Sequence, residues 1–332
     1  MSRTEIEESP RPPRRTRLLI VSGRDPSGAG IDADLAAASE PWIEAIPIVT
    51  AETDQDAKGV RSIGARDPKV WLSEALEAAR RSASTRAGGS DRRGGPSAAG
   101  TPNGPGGAAG GRGSSGPGGA DGARGSSGVG GTDGDCGVDA IKFGLLPGSD
   151  HVRAARDLVR ELRRAAGREI PAVVDPVIAA SSGGRFLDRA GVESLRRDLV
   201  PCGVVLTPNL PETAEIVSAP LIRLITAPDT RLAAARELLA LGAVGVVIKG
   251  GHGEEDPVQD LVAEPERPAR WLDHPRIPAT IRGSGCRFAT RLAAELGRGA
   301  SLAEAAEEAG RAVAGEIARA AGKGLGSPLR TG

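Results

Sequence analysis

Apolar residues fall along the chain in two alternating rhythms. Short, nearly unbroken runs of Val, Ile and Leu recur near 17–22, 44–50, 139–143, 171–175, 203–206 and 244–248, and predict strands buried on both faces. Between them, Ala and Leu return every three or four positions among Arg and Glu, which predicts helices over 29–39, 67–81, 150–166, 189–199, 229–241, 285–297 and 302–320. The resulting βαβα order predicts an α/β fold, a mostly parallel sheet with helices on both faces. In such sheets ligands bind beyond the carboxyl ends of the strands, so the residues that follow each strand carry the functional information.

Three stretches break the rhythm. Residues 1–16 hold Pro10, Pro12 and Pro13 amid aperiodic charge and read as a disordered leader. Residues 82–137 contain twenty-one of the 48 glycines and few aliphatic side chains, and read as a flexible Gly/Ser/Pro-rich insertion. A single domain built from 17–81 and 138–321 can tolerate it, because lengthening a loop from about 8 to about 55 residues costs only about 1.7 kcal/mol of closure entropy. Residues 322–332 read as a flexible tail.

Lys plus Arg (43) balance Asp plus Glu (43), which removes the basic field that nucleic-acid or membrane partners need and favours a small-molecule partner. With no Tyr, three Trp and three Phe there is also no base-stacking surface. Cys136, Cys202 and Cys286 are widely spaced and form no C-x-x-C pair, so neither a disulfide framework nor a zinc site is expected. No segment has the length of apolar sequence that spans a bilayer, and the acidic start lacks a secretory signal, so a cytoplasmic setting is expected.

Four segments carry candidate chemistry. The first, Gly23 to Asp34, joins a strand to a helix, and its glycines either let backbone approach a ligand or simply shape a capped turn. In the second, Thr207-Pro208-Asn209-Leu210-Pro211-Glu212, the acid and the amide three residues apart could organise water around a hard cation or form a helix cap. The third, Lys249-Gly250-Gly251-His252, brings a lysine out of a core strand into a glycine turn, where its charge can reach phosphate oxygens; His252 reads as solvated or structural. The fourth, Gly283-Ser284-Gly285-Cys286, opens a helix, so its amides can form an anion hole. The helix field should lower the Cys286 pKa, while the plainer reading makes Cys286 a small buried residue of a tight turn.

In this order the four segments resemble the hydroxymethylpyrimidine/phosphomethylpyrimidine kinase family of the ribokinase-like superfamily, supported by weaker matches at Lys142-Phe143-Gly144-Leu145-Leu146 and Asp175-Pro176-Val177. The resemblance implies a three-layer α/β/α sandwich and transfer of the γ-phosphoryl of ATP, with Mg²⁺, to an aminopyrimidine alcohol and then to its monophosphate in thiamine biosynthesis. It implies Cys286 as the base and Lys249 with the Gly283, Ser284 and Gly285 amides as the charge-stabilising group. Gly23, Ala29, Asp34, Gln55, Leu145 and Val177 would bind the pyrimidine, and Asp175, Asn209 and Glu212 would hold Mg²⁺ through water. It also implies a homodimer, although no seam in the sequence marks its interface. The chain departs from the family pattern in three places. Its first motif has one glycine fewer, Glu52 and Asp54 add carboxylates near the pocket entrance, and Arg287 adds a cation after Cys286. A kinase for a pyridoxal-type vitamer and a non-catalytic pyrimidine sensor are the alternatives these departures leave open.

Overall fold

A computed structural model describes residues 15–56, 59–88, 136–180 and 183–322. Among them, nine strands form one sheet in the order β3-β2-β1-β4-β5-β6-β7-β8-β9. The strands are β1 (Thr16–Arg24), β2 (Ile43–Asp56), β3 (Gly59–Ala65), β4 (Ala140–Phe143), β5 (Ala172–Val174), β6 (Val205–Leu206), β7 (Gly245–Ile248), β8 (Val258–Ala263) and β9 (Arg270–His274). The six predicted strands all form, and they pair in parallel from β2 through β7. Three strands went unpredicted: β3, β8 and β9, each joined antiparallel at an edge.

Alternate residues of each central strand feed two separate cores. Leu19, Val21, Ile141 and Val174 face helices α2 (Pro68–Gly88), α3 (Ser149–Ala166), α4 (Arg189–Ser194), α5 (Leu210–Ile216), α6 (Leu221–Thr226) and α7 (Pro228–Ala240). Leu18, Ile20, Val173 and Val247 face α1 (Ile31–Ala37), α8 (Ser284–Gly297) and α9 (Leu302–Ala320). Covering both faces explains why β1 is buried along almost its whole length and reads as a continuous apolar run. Helix α3 shows how the other rhythm works: Val152, Ala155, Leu158, Val159 and Leu162 make one buried stripe, and Gly167 ends the helix in the left-handed conformation.

The domain boundaries shift from those expected. Helix α2 runs on to Gly88, seven residues beyond 81, and Cys136 is buried, so the expected insertion limits of 82 and 137 both fall inside folded structure. Thr16, expected in the leader, is buried as the first residue of β1; residues 1–14, the remainder of the insertion and residues 323–332 lie outside the described residues. The end of α2 sits at the amino ends of the strands: the Arg17 guanidinium, at the start of β1, donates to the Ser82 carbonyl, and Arg17 and Asp139 bond each other through backbone and carboxylate.

Candidate active site

The parallel strands deliver polar residues to their opposite, carboxyl ends. Asp175 follows β5 and Lys249 follows β7, and they meet as an ion pair with Lys249 Nζ 2.8 Å from Asp175 Oδ1. Between them, β6 leads into the Asn209 turn, whose backbone bridges in parallel to Lys249. Burial opposes the Lys249 charge, but the carboxylates of Asp175 and Glu212 outweigh it and hold the ammonium above its ordinary pKa.

The first turn of α8 closes over this pair. A Cβ on Gly285 would lie 3.0 Å from Lys249 Nζ and 3.7 Å from Asp175 Oδ2, so only a residue without a side chain brings the helix start this close to the cation. Gly283 caps the helix at φ 71°, and a Cβ there would lie 2.6 Å from the Ala33 methyl and 3.3 Å from Ala29 Cα. The fourth motif therefore packs directly onto the first. Free amides at a helix start beside a lysine form a site for a phosphoryl group.

Cys286 lies in that turn, as predicted, but its expected acidity is overturned. The side chain is only 9% exposed, and burial pushes the thiol up to about 12 despite the opposing charges of Lys142 and Lys249. Loss of solvent thus outweighs the positive helix end, and the group is a neutral thiol at neutral pH. Arg287 bonds Glu316 on α9 at 2.7 Å.

Asn209 and Glu212 form a capping box on α5: the Glu212 N–H donates to Asn209 Oδ1 at 2.9 Å, and the Asn209 N–H donates to Glu212 Oε2 at 2.8 Å. The capping reading of this segment is the one seen; Glu212 also lies close enough to Lys249 and Asp175 to feel their charge, and burial raises its pKa to about 8. Asn209 is a cap first, with its side-chain oxygen committed to α5. Among the described residues no group of three His, Cys, Asp or Glu side chains could hold a metal ion directly. Two buried carboxylates beside a lysine fit an ion carried chiefly by phosphate oxygens and water.

The residues expected to hold the pyrimidine divide. Leu145 packs on Gly23, where a Cβ would lie 2.6 Å from its Cδ2, and its carbonyl accepts from Thr50 Oγ1 at 2.6 Å. Ala29 lies under Gly283 in the shortened turn, which folds back through a bridge between Arg24 and Gly30. Val177 is half-buried, but its N–H is already donated to the Asp175 carbonyl, so it offers no free amide. Gln55 donates its side-chain amide to Asp25. Asp34 is not in the pocket at all. It is fully buried behind it, with both oxygens on Lys142 Nζ at 2.7 and 2.8 Å and a third bond from Thr290 Oγ1 at 2.8 Å. Burial raises the Asp34 pKa against the pull of Lys142, yet three donors on its two oxygens satisfy a carboxylate, and we read the pair as ionic.

Sequence reasoning missed Asp25. This buried acid accepts from Ser27 and Gln55, and Arg282, next to the fourth motif, stands 3.6 Å away, so it ties the first motif to the strand β2 ribbon and to the α8 loop. Its place inside the first motif was the available signal. Glu52 and Asp54 are exposed on β2.

Comparison with known proteins places this geometry. Residues 132–328, more than half of the chain, match the family model described as phosphomethylpyrimidine kinase. The chain belongs to this family. Over 312 residues it is 30% identical to the hydroxymethylpyrimidine/phosphomethylpyrimidine kinase of Streptomyces coelicolor, covering 93% of this chain and 91% of that one. Among solved structures, an ADP complex of Bacillus subtilis pyridoxal kinase aligns with a TM-score of 0.63 at 25% identity, covering 89% of both chains. Phosphomethylpyrimidine kinase from Clostridium difficile aligns with a TM-score of 0.61 at 20% identity, covering 92% of this chain and 100% of that one, a likeness of fold. The ribokinase-like sandwich expected from the motifs is thus the fold of this phosphomethylpyrimidine kinase family member. Among the described residues no helix is long and apolar enough to cross a membrane.

Proposed function

We propose that the chain transfers the γ-phosphoryl group of ATP to the hydroxymethyl oxygen of 4-amino-5-hydroxymethyl-2-methylpyrimidine and then to the resulting monophosphate, in thiamine biosynthesis. Family membership supports the reaction. The observation that carries the mechanism is the meeting of Lys249, Asp175 and the α8 start at one point. There the Lys249 ammonium and the amides of Gly283 to Cys286 neutralise charge on the transferring group. Such transfer passes through a loose transition state, so positioning and charge stabilisation matter more than a strong base. Cys286 lies at the anion hole as a neutral thiol; to act as base it first gives its own proton to solvent, and the resulting thiolate then takes the hydroxyl proton as the new O–P bond forms. The second transfer starts from a phosphate oxygen with no alcohol proton to remove, and relies on Lys249 and the amides alone. When bound, Mg²⁺ supplies charge neutralisation of the phosphate oxygens, and Asp175 and Glu212 would hold its waters.

The test is an ADP-release assay with the pyrimidine alcohol, its monophosphate and pyridoxal as acceptors. Turnover of the first two is expected. Turnover of pyridoxal alone would move the substrate to the vitamer reading, which the shortened first motif and the exposed Glu52 and Asp54 leave open. Pyrimidine binding without ADP release would make the protein a sensor.

A further inference from the structure

We propose that Asp260 on β8 and His274 on β9 are positioning residues that fix the Lys249-Gly250-Gly251 turn and so set affinity for the nucleotide phosphates. The inference rests on the reading of that turn as phosphate-facing. Asp260 is 6% exposed, and the three residues after it, Leu261, Val262 and Ala263, all belong to the apolar cores. A carboxylate in such a strand is costly unless its oxygens are satisfied. One of them, Oδ1, accepts the buried Gly250 N–H at 2.7 Å. The other, Oδ2, lies 3.1 Å from His274 Nε2. That nitrogen makes no regular hydrogen bond, so the contact is electrostatic, a charge pair when the ring carries its second proton.

The packing around the pair leaves little slack. A side chain on Gly250 would collide with the Gln259 carbonyl, so the turn lies flat on β8, and the Gly253 N–H closes it onto the Gly250 carbonyl at 2.7 Å. A side chain on Gly310 of α9 would strike the His274 ring, so the imidazole is seated on bare helix backbone. At Gly251, one residue further, an added Cβ would meet nothing within 4 Å and would point into open space. The chain of contacts runs from α9 through His274 and Asp260 to the Gly250 amide, which with the Lys249 N–H on the Pro208 carbonyl anchors the turn. Lys249 is the preceding residue, and an error of about 1 Å in a positioned group can cost on the order of a hundredfold in rate.

Asp260→Ala, Asp260→Asn and His274→Gln in the full chain test this, with ADP affinity by calorimetry, separate KM values for ATP and the pyrimidine, and hydrogen exchange of the Gly250 amide. Loss of the acceptor in Asp260→Ala should weaken ADP binding by roughly tenfold or more and speed Gly250 exchange, with the pyrimidine KM unchanged within about twofold. Asp260→Asn keeps an acceptor oxygen and should restore most of the affinity. His274→Gln should weaken ADP binding less than Asp260→Ala and add nothing to it in the double variant. The proposal is overturned if Asp260→Ala binds ADP like the parent, if both KM values rise together with a fall in Tm, or if Asn rescues nothing. Should Asp260→Ala fail to fold, unchanged ADP affinity and Gly250 exchange in His274→Gln would overturn it instead. A parent that binds ADP but phosphorylates no pyrimidine sinks the acceptor assignment and leaves this test standing; a parent that binds no ADP sinks the phosphate reading of the turn, and this proposal with it.

Discussion

Replacing Lys142 by Met gives the sharpest test of how the two halves of the site are held together. Lys142 on β4 and Asp34 on α1 are both 0% exposed, and Thr290 on α8 bonds the same carboxylate. Three elements therefore converge on one charge: the helix after the first motif, the helix after the fourth, and the central strand between them. Met fills nearly the volume of the Lys stem but strands Asp34 without a counter-charge. Breaking a buried pair from one side costs about 3–5 kcal/mol, whereas removing both charges with apolar residues of similar size is often close to neutral. We expect Lys142→Met to lose about 3 kcal/mol or more in urea unfolding, and Lys142→Met with Asp34→Leu to recover most of it. The pH dependence follows in sign. In the single variant the Lys142 charge is gone, burial outweighs the remaining Thr290 bond and raises the folded pKa of Asp34, so the penalty is full above that pKa and fades as pH falls toward the unfolded value near ~3.9. Single losses below about 1 kcal/mol that simply add in the double variant would refute the picture of a coupled ionic knot.

Three further outcomes can be checked directly. Lys249→Ala should lower kcat for both phosphoryl acceptors by about a hundredfold or more in the ADP-release assay, since it removes the ammonium onto which Gly285 of α8 closes. Cys286→Ala should slow the alcohol step much more than the phosphate step, and with the thiol held up at about 12 the parent should resist alkylation at pH 7; equal slowing of both steps would remove Cys286 from proton transfer. The carboxylate of Asp260 raises the His274 pKa, with Asp273 and Glu307 adding to it, so the stabilisation from this pair is full below the unfolded value near ~6.5 and is lost as pH rises through the folded pKa. His274→Gln should flatten that part of a Tm-against-pH curve.

Strands buried on both faces were legible in the sequence because nothing polar interrupts them, and the motifs were legible because each directly follows such a strand. The edges were not. Strand β8 carries buried Asp260, β9 reads Arg270-Trp271-Leu272-Asp273-His274 with only Leu272 buried, and β3 is interrupted by Gly64; none shows clean alternation. Site chemistry failed where it depended on burial rather than residue type. A helix start argues for an acidic thiol at Cys286, but how dry that turn is emerges only once α8 packs on Ala29 and Ala33. Asp34 looked like a pocket residue because its motif lines the pocket; its partners, Lys142 and Thr290, lie 108 and 256 positions away in the chain. The Asn209 to Glu212 spacing, by contrast, displayed its cap openly, because a capping box is a contact between residues three apart.

The described chain stops at Gly88 and resumes at Cys136 on the amino-end side of the strands, where Arg17 meets Ser82, whereas Lys249 follows the carboxyl end of β7. Hardware attached there is insulated from the chemistry. A fluorescent reporter, an affinity handle or a pair of new termini could be grafted between Gly88 and Cys136 at little catalytic cost, which makes this junction the natural place to instrument the enzyme.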